Sequence, residues 1–187
     1  MKIFFRALLL SCVTLAGSVQ AADYDIDTRG AHAAIQFKFK HIGISWLVGR
    51  FNTFEGKFSF DEDAIANTKI AVDIDVTSLD SNHAERDKHL RSDDFLNVKK
   101  FPSASFVSTR VVDLGEGKAT VYGDFTLMGV TKEIAIDTST VGMGNDPWGG
   151  YRAGFEGTVT INTKDFNLGL PPSNEVELAL YIEGIRQ

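Results

Sequence analysis

Residues 82–92 (NHAERDKHLRS) are the part of this 187-residue chain whose side chains could do chemistry. His83, Glu85 and His89 follow an H-x-E-x3-H spacing, which raises the question of a metal site. On a helix, Glu85 and His89 lie four residues apart and share a face, whereas His83 lies far around the other side. Because a zinc site needs three convergent ligands, we predict no metal. An enzyme that uses Glu85, Asp87 or His89 for proton transfer stays open as an alternative.

A short solvated helix is the simpler interpretation of this stretch. Residues 83–91 are mostly good helix formers, and Glu85 and His89 stand at the i,i+4 spacing that stabilises helices. Asn82 followed by Glu85 three residues later resembles a capping box. Three apolar side chains would anchor this helix to the rest of the protein: Leu90, Phe95 and Leu96.

Strands must position this segment, because alternating apolar and polar residues dominate the rest of the chain. In residues 35–40, for example, Ile35, Phe37 and Phe39 alternate with polar side chains. Turn signals at Gly115–Gly117 and at Met128-Gly129 separate successive strands. The pattern predicts eight strands, at about 23–41, 48–61, 68–77, 103–114, 117–128, 131–142, 151–165 and 174–186.

Long antiparallel strands joined by short turns predict an all-β fold in one domain. An open sheet of eight such strands would leave two exposed edges, and closure into a barrel removes them. The helix at about 83–91 falls in the longest gap between strands, so we expect it to cross one mouth of the barrel. An interior enclosed by eight strands has room for packed side chains or for one small ligand.

The N-terminus predicts a cleaved signal peptide over residues 1–21 and a barrel domain over 22–187. Lys2 and Arg6 precede an apolar run at 7–16, and Val19-Gln20-Ala21 places small residues before the predicted cleavage site. An alternative is a lipoprotein box ending at Cys12, although cleavage there would leave too short an apolar run. Because Cys12 is the only cysteine, the mature domain must fold without disulfides.

Composition excludes several classes of partner and reaction. The formal net charge is −6 at pH 7, which argues against binding to nucleic acid and against tight electrostatic docking on anionic lipid. No stretch of the mature chain is apolar enough for stable membrane insertion. The sequence contains no G-x-S-x-G nucleophile elbow and no glycine-rich phosphate loop before a helix. We therefore predict a protein that is not an enzyme.

Six motifs spread along the mature chain resemble those of the YceI family of secreted bacterial proteins. They are residues 41–51 (HIGISWLVGRF), 82–92 (NHAERDKHLRS), 101–102 (FP), 129–132 (GVTK), 146–150 (DPWGG) and 164–166 (KDF). The resemblance implies an eight-stranded antiparallel, lipocalin-like barrel in the periplasm. It further implies an apolar cavity that carries an isoprenoid lipid, such as a polyprenyl phosphate or pyrophosphate or an isoprenoid quinone, or another long-chain amphiphile. No cofactor is implied beyond this ligand, and a homodimer stays open.

The resemblance and the alternation together suggest two groups of ligand-binding residues. The predicted apolar wall residues are Phe37, Phe39, Phe58, Phe60, Ile70, Val72 and Ile74. The predicted headgroup residues at the rim are His41, Ser45, Arg86, Asp87 and His89. Two alternatives stay open: ordinary core packing for the wall residues, and a structural tie between helix and rim for Arg86 and Asp87. A stress-response barrel without a dedicated ligand is the corresponding alternative function.

Overall fold

The computed structural model describes residues 21–170 and 173–187, so almost all of the predicted signal peptide lies outside the described residues. The described chain is built of antiparallel strands with one α-helix and three short 3-10 helices. The strands are β1 (Ala22–Ile26), β2 (Ala34–His41), β3 (Ser45–Phe51), β4 (Phe54–Phe60), β5 (Lys69–Asp75), β6 (Leu79–Asp80), β7 (Ser103–Gly115), β8 (Lys118–Leu127), β9 (Val130–Asn145), β10 (Tyr151–Asn162) and β11 (Glu175–Arg186). The helix α1 is Ala84–Leu90, and the 3-10 helices are Ile65–Asn67, Val76–Ser78 and Thr163–Phe166.

The sheet closes on itself because β1 pairs with β4 on one edge and with β11 on the other. The closed order is β1-β4-β5-β7-β8-β9-β10-β11 and back to β1. β2 also pairs with β11, next to β1, and β3 pairs with β2. β1 and β2 are therefore the two halves of one long strand that bends once. β3 and β4 are the two halves of another. The predicted eight-stranded antiparallel barrel is confirmed, with these strands divided into shorter segments.

Period-two alternation decides which side chains enter the barrel. Along β8, Ala119, Val121, Gly123, Phe125 and Leu127 are buried, while the residues that alternate with them are partly or fully exposed. The hairpin turns predicted between the long strands are present as well. Met128 and Gly129 both have positive φ, as the tight connection from β8 to β9 requires.

Helix α1 and the segment that follows it, residues 84–100, form a lid over one end of the barrel. We call this end the lid end. The predicted helix at about 83–91 is confirmed, but its N-cap is His83, whose Nδ1 accepts a hydrogen bond from the backbone N of Arg86 at 3.2 Å. Asn82 instead adopts a left-handed backbone conformation. Leu90 and Leu96 are buried under the helix, as predicted. Among the described residues, no helix has the length and the apolar character needed to cross a membrane.

An ionic network on the outer surface holds the bend between β1 and β2. Arg152 on β10 donates to Asp27 at 2.7 Å and to Asp146 at 2.8 Å, and it also donates to Glu183 on β11. Asp27 further accepts from the backbone N of Gly30 at 2.8 Å. These bonds join the bend at 27–33, the loop before β10 and two neighbouring strands. The hydrogen bond from Arg152, followed by that from His32, lowers the pKa of Asp27 from 3.8 to about 2.

Close packing of an aromatic ring over a glycine fixes the contact between β2 and β3. Gly49 pairs directly with Phe37, and a Cβ atom at position 49 would lie 2.3 Å from Cζ of Phe37.

We predict that Gly49→Ala lowers the free energy of unfolding by about 1–3 kcal/mol, because the ring of Phe37 must leave its position. Urea denaturation measures the effect. Gly142→Ala is the matched control: its Cβ would meet no atom within 4 Å, so a similar loss there would contradict this account.

The network around Arg152 predicts a pH dependence of stability. Asp27 has a lower pKa in the folded state, so its contribution is complete above about pH 4 and is lost as the pH falls towards 2. Arg152→Gln should therefore lower the free energy of unfolding at neutral pH, and its difference from wild type should narrow between pH 4 and pH 2. Denaturation curves over this range test it. Arg110→Gln, at an exposed arginine stacked on Tyr122, should give a difference that does not vary with pH in this way.

Candidate functional site

The barrel encloses an apolar cavity that extends through its middle. This cavity has a volume of about 150 Å³. Inward-facing side chains of most strands line it, including Phe58 on β4, Val72 on β5, Val121 on β8 and Leu180 on β11. An apolar space of this size favours apolar molecules over water.

A second apolar cavity of about 80 Å³ lies next to the first, under the lid. Leu90, Phe95 and Leu96 from the helix segment form part of its wall. Four residues line both cavities, so the two are consecutive parts of one lumen: Ile35, Ile74, Phe125 and Leu178. The strands around this lumen are long, since a 12-residue strand such as β11 spans about 40 Å. The lumen is therefore elongated along the strands.

The structure places all seven predicted wall residues on this lumen. Phe58, Phe60, Ile70 and Val72 line the middle cavity, Phe37 and Phe39 line the cavity under the lid, and Ile74 lines both. These side chains face open space, which the alternation pattern alone could not establish. Whether they contact a ligand stays a prediction.

The middle cavity also contains polar groups that the sequence analysis missed. Thr68, just before β5, is buried and lines the cavity, and its Oγ1 has no hydrogen-bond partner among the described residues. Thr138 and Thr140 line the same cavity from β9, and Oγ1 of Thr138 donates to the carbonyl of Ala119 at 2.9 Å. An unpaired buried hydroxyl is costly unless something binds it. Thr68 follows a 3-10 helix in a connection between strands, so no periodic signal marked it.

Two of the predicted headgroup residues, His41 and Ser45, lie at the tip of the β2–β3 hairpin. They pair with each other across the hairpin and both are exposed. Neither is among the described residues that line the two cavities. Both residues lie outside the lumen because they are at the tip of the hairpin, past the last hairpin side chains that point inward.

The other three predicted headgroup residues belong to the lid and do not line the lumen either. Asp87 is buried and accepts hydrogen bonds from the backbone N and the hydroxyl of Ser81. Arg86 donates to the same hydroxyl at 2.7 Å and to the carbonyl of Ser81. His89 is exposed on the outer side, near Asp94 and Phe95. The geometry of Arg86 and Asp87 fits the structural alternative, a tie between helix and rim.

The residues considered for metal or acid–base chemistry do not converge. His83 caps the helix, Glu85 is exposed, and Asp87 is held by Ser81. Among the described residues, another group has ligand atoms close together: Asp27, His32 and Glu183. Arg152 already donates to both of these carboxylates. A guanidinium in that position supplies the positive charge and occupies the space that a cation would need, so this group is an ion-pair network.

The site can therefore enclose an elongated apolar molecule and offer it a few hydroxyl groups. The polar groups lie in the middle cavity, and the wall under the lid is apolar apart from Thr163, whose hydroxyl donates to the carbonyl of Asn174 at 3.1 Å. An amphiphile with one polar end is matched best with that end in the middle cavity, near Thr138 and Thr140, and its apolar chain towards the lid. This orientation differs from the rim site that the sequence analysis predicted.

Sequence comparison places this barrel among known proteins. The family model described as the YceI-like domain matches residues 24–184. A UPF0312 protein of Shewanella denitrificans is 54% identical over 189 residues, covering 100% of this chain and 99% of that protein. A UPF0312 protein of Vibrio parahaemolyticus is also 54% identical, with the same coverage of both chains.

Solved structures share the same fold. The YCEI protein of Campylobacter jejuni is 28% identical, with a TM-score of 0.72 over 80% of this chain and 90% of its own. BcnA of Burkholderia cenocepacia gives a TM-score of 0.76 at 22% identity, covering 85% of this chain and 99% of its own. A polyisoprenoid binding domain from Saccharophagus degradans gives a TM-score of 0.62 at 15% identity, over 89% and 99%. With the match along almost the whole described barrel and the relatives above half identity, the chain belongs to the YceI family.

Proposed function

We propose that this protein binds and carries an isoprenoid lipid, such as a polyprenyl phosphate, a polyprenyl pyrophosphate or an isoprenoid quinone, in the lumen of its barrel. The observation that carries the proposal is the elongated apolar lumen inside the barrel. A linear apolar chain fits two narrow cavities arranged end to end better than a compact ring system does. The structural neighbour described as a polyisoprenoid binding domain supports the same ligand class.

Burial of apolar surface supplies the driving force for such binding. Each Å² of apolar surface removed from water is worth about 25 cal/mol, so about 400 Å² of prenyl chain gains roughly 10 kcal/mol before the costs of association. The aromatic walls formed by Phe37, Phe58, Phe106 and Phe125 provide a surface for that chain. The polar end then needs only a small number of well-placed partners.

A carrier role fits the described residues better than an enzymatic one. The acidic and histidine side chains of the lid, Glu85, Asp87 and His89, do not face the lumen. Asp87 is already engaged by two hydrogen bonds from Ser81. The groups in the lumen that can form hydrogen bonds are mainly threonine hydroxyls, which bind polar atoms but do not by themselves form an acid–base pair. We therefore propose a binding protein without catalytic residues.

Export to the periplasm is part of the proposal, and it rests on the signal-peptide pattern of residues 1–21. In that compartment an enclosed lumen would shield an isoprenoid chain from water. The absence of cysteine after Cys12 means that the barrel depends on its packed walls and closed hydrogen bonding under oxidising conditions as well.

Mass spectrometry of an organic extract is the test of the function. Protein purified without detergent from the periplasmic fraction should begin at Ala22 by intact mass and release a polyprenyl species in near-stoichiometric yield. Ala119→Phe, which fills the middle cavity, should reduce this yield by about tenfold because it removes the space for the chain. Ala71→Phe on the outer surface is the matched control. Equal lipid in both variants, or a wild-type protein that takes up no added polyprenyl lipid, would contradict the proposal.

The unpartnered hydroxyl of Thr68 gives a second, independent prediction. Thr68→Val keeps the shape of the side chain and removes a buried hydroxyl that has no partner, so the free energy of unfolding should stay the same or rise. Chemical denaturation measures the effect.

Thr163→Val is the control for this prediction. Its hydroxyl is already bonded to Asn174, so its removal should lower the free energy of unfolding by about 1 kcal/mol. Chemical denaturation compares the two variants under the same conditions. A Thr68→Val variant that loses as much stability as Thr163→Val would contradict this prediction.

A further inference from the structure

The outer surface of the β2–β3 hairpin is apolar and exposed, in contrast to the rest of the barrel exterior around it. Ile42, Ile44, Trp46 and Val48 all project from this hairpin, with Ile44 82% and Trp46 57% exposed. Isolated exposed apolar residues are common, but four within seven positions of one hairpin are a concentration of the kind that marks an interaction site. We call Ile42, Ile44, Trp46 and Val48 the hairpin patch.

β2 pairs with β11 as far as Phe39, so only the tip of the hairpin extends beyond the barrel wall. β3 pairs with β2 along its whole length, from His41 with Ser45 to Ile35 with Phe51. On its other edge, the described pairing is limited to Arg50 and Phe51 with β6. The tip is therefore free to contact something outside the barrel.

Basic side chains surround the hairpin patch. Lys38 and Lys40 lie on the same outer face, with their ammonium groups 5.1 and 5.7 Å from the centre of the Trp46 ring. Lys38 also pairs with Glu177 at 2.8 Å, which leaves Lys40 as the lysine nearer the tip. An indole ring flanked by lysines is the combination found at the interface between lipid headgroups and acyl chains.

Charge is strongly segregated along this chain. Residues 28–54, which include the whole hairpin, contain no Asp or Glu, although the chain as a whole carries a net charge of −6. Acidic residues gather at the opposite end of the barrel, as at Asp61–Asp63 in the connection after β4. The lid is nearly balanced: residues 84–100 contain four acids and five Lys or Arg. The net charge of the whole chain argued against tight docking on anionic lipid. That net charge is a sum over all these regions, so it does not show that the hairpin itself is basic.

We propose that the hairpin patch docks on the surface of a bilayer that contains anionic phospholipid. Ile42, Ile44 and Trp46 enter the headgroup region, and Lys40 pairs with lipid phosphate. The acidic opposite end is repelled, so the molecule has a single docked orientation. The contact is peripheral and reversible, since the tip contributes only a few apolar side chains.

Docking at this position places the lumen next to the membrane. Phe39 lies directly opposite Leu47 in the hairpin and lines the cavity under the lid. The inner face of the same two strands thus forms the lumen wall, and their outer face carries the hairpin patch. The proposed docking surface and the proposed ligand-binding surface are therefore on opposite faces of the hairpin.

Vesicle flotation tests the proposal with purified protein and vesicles of phosphatidylethanolamine and phosphatidylglycerol. Wild type should float with these vesicles and bind weakly to vesicles of phosphatidylcholine alone. Ile44→Ser combined with Trp46→Ser should weaken binding by about tenfold or more, and Lys40→Gln by about fivefold. Val141→Ser combined with Trp148→Ser removes two similarly exposed side chains, 72% and 77% exposed, and should bind as wild type does.

Fluorescence provides a second measurement that does not depend on a destabilising variant. The chain has two tryptophans, so Trp148→Phe leaves Trp46 as the only indole. Its emission should shift to the blue when anionic vesicles are added, and the emission of Trp148 in a Trp46→Phe variant should not change. A blue shift of Trp148 alone, or equal loss of flotation in both double serine variants, would overturn the proposal.

A second copy of the chain is the alternative occupant of the hairpin patch. A wild-type dimer that becomes monomeric in the Ile44→Ser, Trp46→Ser variant and does not float would show that a second copy covers the patch, and would overturn membrane docking. Lipid extraction from the same variant should give the wild-type yield, because the lumen is unchanged. Wild type that retains lipid but fails to float would overturn the docking and leave the proposed function standing.

Discussion

The closing of the sheet at β1 is the constraint on which the rest of this structure depends. β1 is only five residues long, yet it supplies hydrogen bonds to both β4 and β11. An open sheet could twist or fold over and pack one part of its apolar face against another. A closed ring of strands cannot collapse in this way, because its backbone hydrogen bonds hold the walls apart. The apolar faces therefore surround a space, and their side chains decide how much of it is filled.

Several features outside the lumen keep this closure in place. The bend between β1 and β2 would place a charged loop against two strands, and Arg152 satisfies its acidic groups there. Such a network is hydrogen-bonded and largely withdrawn from solvent, so its electrostatic interactions are less screened than those of exposed pairs. At the lid end, Arg86 and Asp87 hold the helix through Ser81. In both places the charged groups have a structural role outside the lumen, and the binding surface itself is nearly free of charge.

The two faces of one hairpin have different surroundings. Alternation sends Phe37 and Phe39 inward to the lumen and leaves Lys38 and Lys40 outward, beside Trp46. The proposed carrier would need both an enclosed apolar interior and a means of approaching the phase where its ligand resides. Period-two geometry places the residues proposed for both roles in the same short stretch of sequence.

The sequence by itself determined the strands, the turns between them, the inward-facing residues and the existence of the helix. These depend on local periodicity and on turn residues, which act over short distances, and all seven predicted wall residues consequently line the lumen. Only the tertiary structure decided that β1 closes the ring, that side chains leave the lumen unfilled, and that the Thr68 hydroxyl is buried without a partner among the described residues. The tertiary structure also placed His41 and Ser45 outside the lumen. It brought Arg86 and Asp87 into hydrogen bonds with Ser81. Those properties depend on contacts between residues distant in the chain, and on whether facing side chains meet or leave a gap, which alternation along one strand does not encode.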